Sequence, residues 1–250
     1  MNRLQGKAAI VTGASKGIGA GVAKALAAEG AAVAVNYSTS REGADRVVAA
    51  IEQQGGRAIA VQGDVSKAAD VERLFAEVQK AFGIPSILVN NAGVFQFMPL
   101  EAITEDEFHR QFNTNVLGTI LATQEAAKRF GEGGGSIINI TSVASQSSMP
   151  ASSVYAASKS AVDTITRVFA MELVSKNIRV NAVAPGMTAT EGAMAMMGDF
   201  TAEQQQSFVS GIPMGRIGTP EDIAQTILFL ASDESSWITG ERITASGGQH

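Results

Sequence analysis

A chain of 250 residues with 45% hydrophobic content and only six prolines can bury one substantial α/β core without long linkers. Its net charge of -5 provides no basic footprint for nucleic acid, and the absence of cysteine excludes disulfides and thiol catalysis, leaving the cytoplasm as the default compartment. No run of about eighteen apolar residues offers a membrane span, and Met1 to Lys7 lacks the apolar core of a signal peptide.

Apolar strand-like runs alternate with helical patterns along the chain. The run Ala8-Ala9-Ile10-Val11 is followed by the glycine-rich Thr12-Gly13-Ala14-Ser15-Lys16-Gly17-Ile18-Gly19 and a helical stretch from Ala20 to Glu29. Strand, glycine turn and helix N-terminus together make a phosphate-binding arrangement, because glycine lets the backbone approach a pyrophosphate and the helix presents free N–H groups. The spacing G-x-x-x-G-x-G differs from the G-x-G-x-x-G fingerprint and lacks the Gly-Lys-Ser/Thr ending of a P-loop. Next come a strand over 31–35, an amphipathic helix over 41–54 and a strand over 57–61. A helix over 68–82 places Val71, Leu74, Phe75 and Val78 on one face. The strand over 86–89 runs into Asn90-Asn91-Ala92-Gly93. One helix is expected from about Glu105 to Phe130, then a glycine-rich turn, a strand over 136–141 ending at Ser142, and a helix over 153–175. The strand 178–183, the helix 223–230 and the short strand 242–245 complete the series. Such alternation predicts an α/β fold, a doubly wound parallel sheet flanked by helices on both faces. Residues 187–212 interrupt the rhythm with Met187, Met194, Met196, Met197, Phe200 and Phe208. They are expected to form an excursion closing over an apolar substrate, or else to pack a core or subunit surface.

Tyr155 and Lys159 stand four residues apart on the helix 153–175, so the phenol and ammonium share a face. A unit charge about 4 Å away at an effective dielectric of about 20 is worth roughly 4 kcal/mol, enough to draw a tyrosine pKa from about 10 towards about 7. His109 and His250 are isolated and provide no metal signature.

Taken together, the segment Thr12 to Gly19, Asn90 to Gly93, Ser142 and Tyr155-Ala156-Ala157-Ser158-Lys159 resemble the short-chain dehydrogenase/reductase family. The resemblance spans Gly6 to Gly248 and implies a single Rossmann-type domain over 1–250, with seven strands in the order 3-2-1-4-5-6-7. It implies hydride transfer between a nicotinamide and a carbonyl carbon. Tyr155 would be the general acid/base, Lys159 would lower its pKa, Ser142 would polarise the carbonyl, and Asn115 would take part in a proton relay. The cofactor would be held by Gly13, Ser15, Lys16, Gly17, Ile18 and Gly19, with Asp64 and Val65 at the adenine. Asn90, Ala92 and Gly93 would form the supporting turn, and Pro185, Gly186, Thr188 and Thr190 would hold the carboxamide. Thr188 departs from the branched apolar residue common at that place.

The end of the second strand, Val35-Asn36-Tyr37-Ser38-Thr39-Ser40-Arg41, holds no acid to accept a ribose 2′-OH. Tyr37, Ser38, Arg41 and Lys16 are therefore expected to favour NADP(H), with NAD(H) the alternative. Phe95, Phe97, Met187 and Met194 join Ser142 as the expected substrate wall. Reduction of 3-oxoacyl groups on acyl carrier protein is a rival reading, and would require a basic patch such as Lys128, Arg129 and Lys176 near the cleft. A catalytically silent NADP-binding sensor is a reading of another class. The resemblance also implies a homotetramer built on the helices 105–130 and 153–175.

Overall fold

The computed structural model describes residues 2–198 and 201–249; Phe200 and His250, both noted above, lie outside the described residues. Seven strands form one parallel sheet: β1 (Ala8–Val11), β2 (Ala32–Tyr37), β3 (Arg57–Gln62), β4 (Ile87–Asn90), β5 (Gly135–Ile140), β6 (Ile178–Pro185) and β7 (Arg242–Ala245). Their order is β3-β2-β1-β4-β5-β6-β7. The helices are α1 (Gly17–Ala28), α2 (Arg41–Gln53), α3 (Ala68–Phe82), α4 (Glu105–Phe112), α5 (Gly118–Arg129), α6 (Ser153–Leu173), α7 (Glu191–Gly198), α8 (Ala202–Ser210) and α9 (Pro220–Ala231). Among the described residues, no helix is long and apolar enough to cross a membrane.

Successive side chains of a strand point to opposite faces, so each central strand feeds two cores. On β1, Ala9 and Val11 pack with Val22 and Leu26 of α1, Val47 and Ile51 of α2, and Ile223 and Ile227 of α9. Ile10 packs on the other face with Leu74, Phe75 and Val78 of α3, Ala122 and Ala126 of α5 and Ala170 of α6. Burial on both faces is why the strands read as unbroken apolar runs. A Cβ on Gly21 would come within 2.8 Å of Pro220, which lets α1 and α9 lie close together.

Two expectations change. The helix anticipated over 105–130 is interrupted at Asn113–Leu117 by a π-turn that divides α4 from α5. The excursion over 187–212 is itself helical, forming α7 and α8. After β3 the chain passes back across β1 to build β4, so the order reverses between β1 and β4. The carboxyl ends of strands at such a reversal frame a crevice suited to a ligand.

Candidate active site

The turn after β1 and the turn after β4 are tied together at this crevice. Thr12 Oγ1 accepts the backbone N–H groups of Asn91 and Ala92, each at 3.0 Å. The Asn91 side-chain amide donates back to the carbonyls of Thr12 and Gly13 at 2.9 and 3.0 Å. Gly13 and Gly17 have φ of 61° and 57°, a conformation glycine adopts without steric cost. A Cβ on Gly13 would lie 2.7 Å from Ala92 Cα, and one on Gly17 would lie 3.1 Å from Thr190. Three chain segments thus converge where α1 begins. Its N-cap, Lys16, is exposed and makes no side-chain capping bond, so the first N–H groups of α1 remain for an anion. A dinucleotide phosphate fits this cradle.

Asn36, which the sequence reading did not single out, braces the same turn. Its Oδ1 accepts Gly13 N–H at 3.2 Å, while Nδ2 donates to the carbonyls of Val61 and Gly63. Several expected cofactor residues have structural duties. Asn90 is buried and its amide donates to Thr123 and Asn139. Tyr37 packs into the core, Ile18 lies against that core, and Val65 backs onto Gly118, where a Cβ would come within 2.7 Å. Asp64 accepts both the N–H and the hydroxyl of Ser66. Ser38 is exposed and Ser15 is half-buried. Arg41 is held by Asp45 through two bonds of 3.0 and 2.9 Å.

The residues expected to perform the chemistry do meet. Ser142 follows β5, and its Oγ accepts the Ala144 N–H at 3.1 Å, which leaves the hydroxyl proton to point elsewhere. Tyr155 lies in the first turns of α6; its hydroxyl is closely surrounded although the ring is half-buried. Lys159 is buried, with Nζ donating to the Ile140 carbonyl at 2.8 Å and lying 5.9 Å from the centre of the Tyr155 ring. Asn115 sits in the π-turn, where its side chain pairs with both the N–H and the carbonyl of Val94, at 2.8 and 2.9 Å. It also donates to Ser158 Oγ at 2.9 Å, and that hydroxyl donates to the Tyr155 carbonyl at 2.7 Å. A Cβ on Gly93 would stand 3.3 Å from Lys159 Nζ and 3.4 Å from Asn115 Oδ1. Glycine therefore lets the turn close over both groups.

The expected lowering of the Tyr155 pKa is corrected. Burial pushes the phenol up, opposed by its hydrogen bond with Ser142. Burial also brings Lys159 down to about 8, against the pull of Asp163. The same desolvation acts on both groups, and the lysine lies near the face of the ring while bonded to Ile140.

Phe95, Phe97 and Tyr155 form an aromatic cluster with ring centres 5.6 to 6.1 Å apart. Gly192 of α7 comes close to Phe95, bringing the excursion beside this cluster, while Met194 on the same helix is exposed. Met187 lines a cleft of about 320 Å³ with Met214, Arg216 and residues at the end of β7. Pro185 ends β6 against Ala245, and Gly186 crowds Gln249, whose side chain accepts Met187 N–H at 2.9 Å. Thr188 is buried and donates to the Gly186 carbonyl, which gives its hydroxyl a local partner. Thr190 Oγ1 accepts Ala193 N–H at the start of α7.

A family model described as enoyl-(acyl carrier protein) reductase matches residues 13–250. An uncharacterised oxidoreductase of Methylorubrum extorquens is 52% identical over 248 residues, 99% of either chain. The chain belongs to the short-chain dehydrogenase/reductase family. Versicolorin reductase 1 of Aspergillus parasiticus is 40% identical, covering 99% of this chain and 97% of its own. The structure of a short-chain dehydrogenase/reductase from Serratia marcescens superimposes with a TM-score of 0.91 at 37% identity, over 98% of each chain. As a short-chain dehydrogenase/reductase, the protein is an oxidoreductase that works with a nicotinamide dinucleotide, NAD(H) or NADP(H).

Proposed function

We propose that this protein is an NADPH-dependent carbonyl reductase whose substrate carries an aromatic or extended apolar group beside the ketone. The observation that carries the reading is the aromatic wall of Phe95 and Phe97 built directly onto Tyr155, with Ser142 and Lys159 at its base. A flat ring stacks or packs edge-on against such a wall. The versicolorin reductases among the relatives are named for reduction of a single compound.

The bound dinucleotide supplies the hydride that becomes the new C–H bond. Tyr155 delivers its phenolic proton to the carbonyl oxygen, converting C=O to CH–OH. Ser142 directs its hydroxyl proton at the same oxygen as negative charge develops there. Lys159 offsets the charge of the phenolate left behind, and Asn115 holds Val94 and Ser158 in register around it. In the reverse direction Tyr155 takes the proton. The absence of an acid at the end of β2, with Ser38 exposed and Arg41 adjacent, supports NADP(H) over NAD(H). A 2′-phosphate would draw Arg41 from Asp45, an exposed pair that solvent screens and that contributes little.

The carrier-protein reading loses its basic patch. Lys128 and Arg129 pair with Glu125, and Lys176 donates to Ala127. All three precede the amino ends of β5 and β6, roughly 20 Å along the strands from the edge bearing Ser142 and Pro185. A homotetramer through α4 to α6 is the proposed assembly, supported by the exposed apolar residues Leu117, Val168 and Met171.

The test is to follow NADPH absorbance with aromatic ketones, small aliphatic ketones, a diketone and an acetoacetyl thioester, with NADH in parallel. Preference for aromatic ketones is expected. Strong thioester preference would return the carrier-protein reading, and tight NADPH binding without turnover would favour the sensor.

A further inference from the structure

Behind Ser142 lies a buried charged pair that the chemistry above does not use. Asp163 stands one turn beyond Lys159 on α6, and Arg242 opens β7; their side chains are 6% and 14% exposed, and Arg242 Nε lies 3.2 Å from Asp163 Oδ2. Both reach the turn that carries the serine. Arg242 Nη2 donates to the Ser142 carbonyl at 3.0 Å and to Ser145 Oγ at 3.3 Å. Ser145 Oγ donates to Asp163 Oδ2 at 2.5 Å, and the Ser145 carbonyl accepts Ser160 Oγ at 2.7 Å. The Ser142 carbonyl also accepts Ser145 N–H at 3.1 Å. The turn Ser142 to Ser145 is thereby clamped between α6 and β7 through its backbone, while the Ser142 hydroxyl stays outside the clamp.

Stability alone accounts poorly for this arrangement. Desolvating two charges is costly, and an apolar pair of similar volume is often at least as stable. Asp163 Oδ1 and Arg242 Nε are both buried without a hydrogen-bond partner, an added cost. We propose that Arg242, held by Asp163, is a positioning residue for Ser142, locking from β7 the turn that aims the serine hydroxyl at the substrate oxygen. This rests on the reading of the chain as a carbonyl reductase.

The pair has a second, electrostatic reach. Asp163 favours the ammonium form of Lys159, and Arg242, ion-paired with that carboxylate, would offset part of this pull. The other groups packed around Lys159 and Tyr155 are the Phe95 and Phe97 rings, Ser142 and the Ile140 carbonyl from the end of β5, Gly93 from the turn after β4 and Asn115 from the π-turn. None of these titrates, so the ionisable groups beside Lys159 are the Tyr155 phenol and Asp163, with Arg242 paired to Asp163, among the described residues.

Two readouts test the proposal on the full chain: ketone reduction, and the titration of Lys159 followed by NMR of its εCH2. Arg242→Gln is expected to lower kcat at least tenfold while KM and NADPH affinity stay within about twofold, and Arg242→Lys to recover part of the loss. The midpoint for Lys159 should rise by about half a pH unit in Arg242→Gln and fall by a similar amount in Asp163→Asn. A merely structural role would move neither, or both in one direction. The double variant Asp163→Leu/Arg242→Met buries no lone charge; it should keep the wild-type Tm yet show the low kcat. Wild-type kcat in that double variant, or titration shifts of equal sign, would overturn the proposal. Absence of turnover in the wild type would instead defeat the carbonyl-reductase reading, and the Lys159 titration would still decide whether the pair is coupled to the site.

Discussion

At Lys159, burial and the need for a positive charge act against each other. The ammonium is fully enclosed and its pKa is brought down to about 8 from an ordinary 10.5. Because the folded pKa lies below the unfolded one, the unfolded chain binds the extra proton between these values. Stability therefore rises as pH climbs from about 8 to 10.5, and below 8 the lysine opposes folding. Lys159→Met should then be more stable than the wild type at pH 7, by on the order of 1–2 kcal/mol in urea titrations after loss of the Ile140 bond, while its reductase activity collapses. Tyr155, raised by burial, stays protonated through neutral pH and is ready as an acid. Reduction should accordingly hold level up to about pH 8 and fall above it as Lys159 is neutralised, whereas alcohol oxidation should rise with pH. Tyr155→Phe should abolish turnover and leave NADPH binding intact by fluorescence titration; full activity in that variant would show the proton donor to be another group. Tyr155, Lys159 and Ser142 were legible because motif spacing survives in one dimension. Arg242, Asp163 and Asn36 were not, since each acquires its meaning from partners on other strands or helices.

Among the elements, the strands were readable as apolar runs and the helices by their faces, but the π-turn at Asn113–Leu117 was not. Its determinants are distant: Asn115 is held by Val94, 21 residues away, and by Ser158, 43 residues away. π-turns inside helices are frequent at functional sites, and this one places Asn115 beside Gly93 and Lys159. The helix α8 did carry a local signal that went unread, the capping box Thr201 to Gln204. A matching box at Thr219 and Asp222 starts α9, beside the bridge between Thr188 and Gly218. Thr219→Ala should lower stability by about 1 kcal/mol, read as a shift in the urea midpoint. Just before α6, Ala151 has a φ of 64°, and its carbonyl accepts Met98 N–H at 2.7 Å, joining the aromatic wall to the helix of Tyr155. Relief of this left-handed conformation in Ala151→Gly should raise Tm by a few degrees, equivalent to about 0.5–1 kcal/mol.

For the molecule as a whole, the sheet brings residues from Thr12 to Arg242 to one edge, and the apolar surface of α4 to α6 lies away from the core. Val168 and Met171 are exposed on α6 and Val174 just beyond its end, with Phe108 and Leu117 on the neighbouring segments. If these faces pair, Met171→Glu should shift the sedimentation coefficient from a tetramer to a smaller species without altering the far-ultraviolet spectrum. The order of strands was readable only through family resemblance, because periodicity reports faces and not neighbours. β7 has a consequence for how the protein is made. Its Arg242 grips the turn of Ser142, and Gln249 just beyond it holds Met187, so the serine turn waits on a residue translated 100 positions later. A nascent chain with β7 still inside the ribosomal tunnel would hold every residue named in the proton transfer and still lack the clamp that aims Ser142.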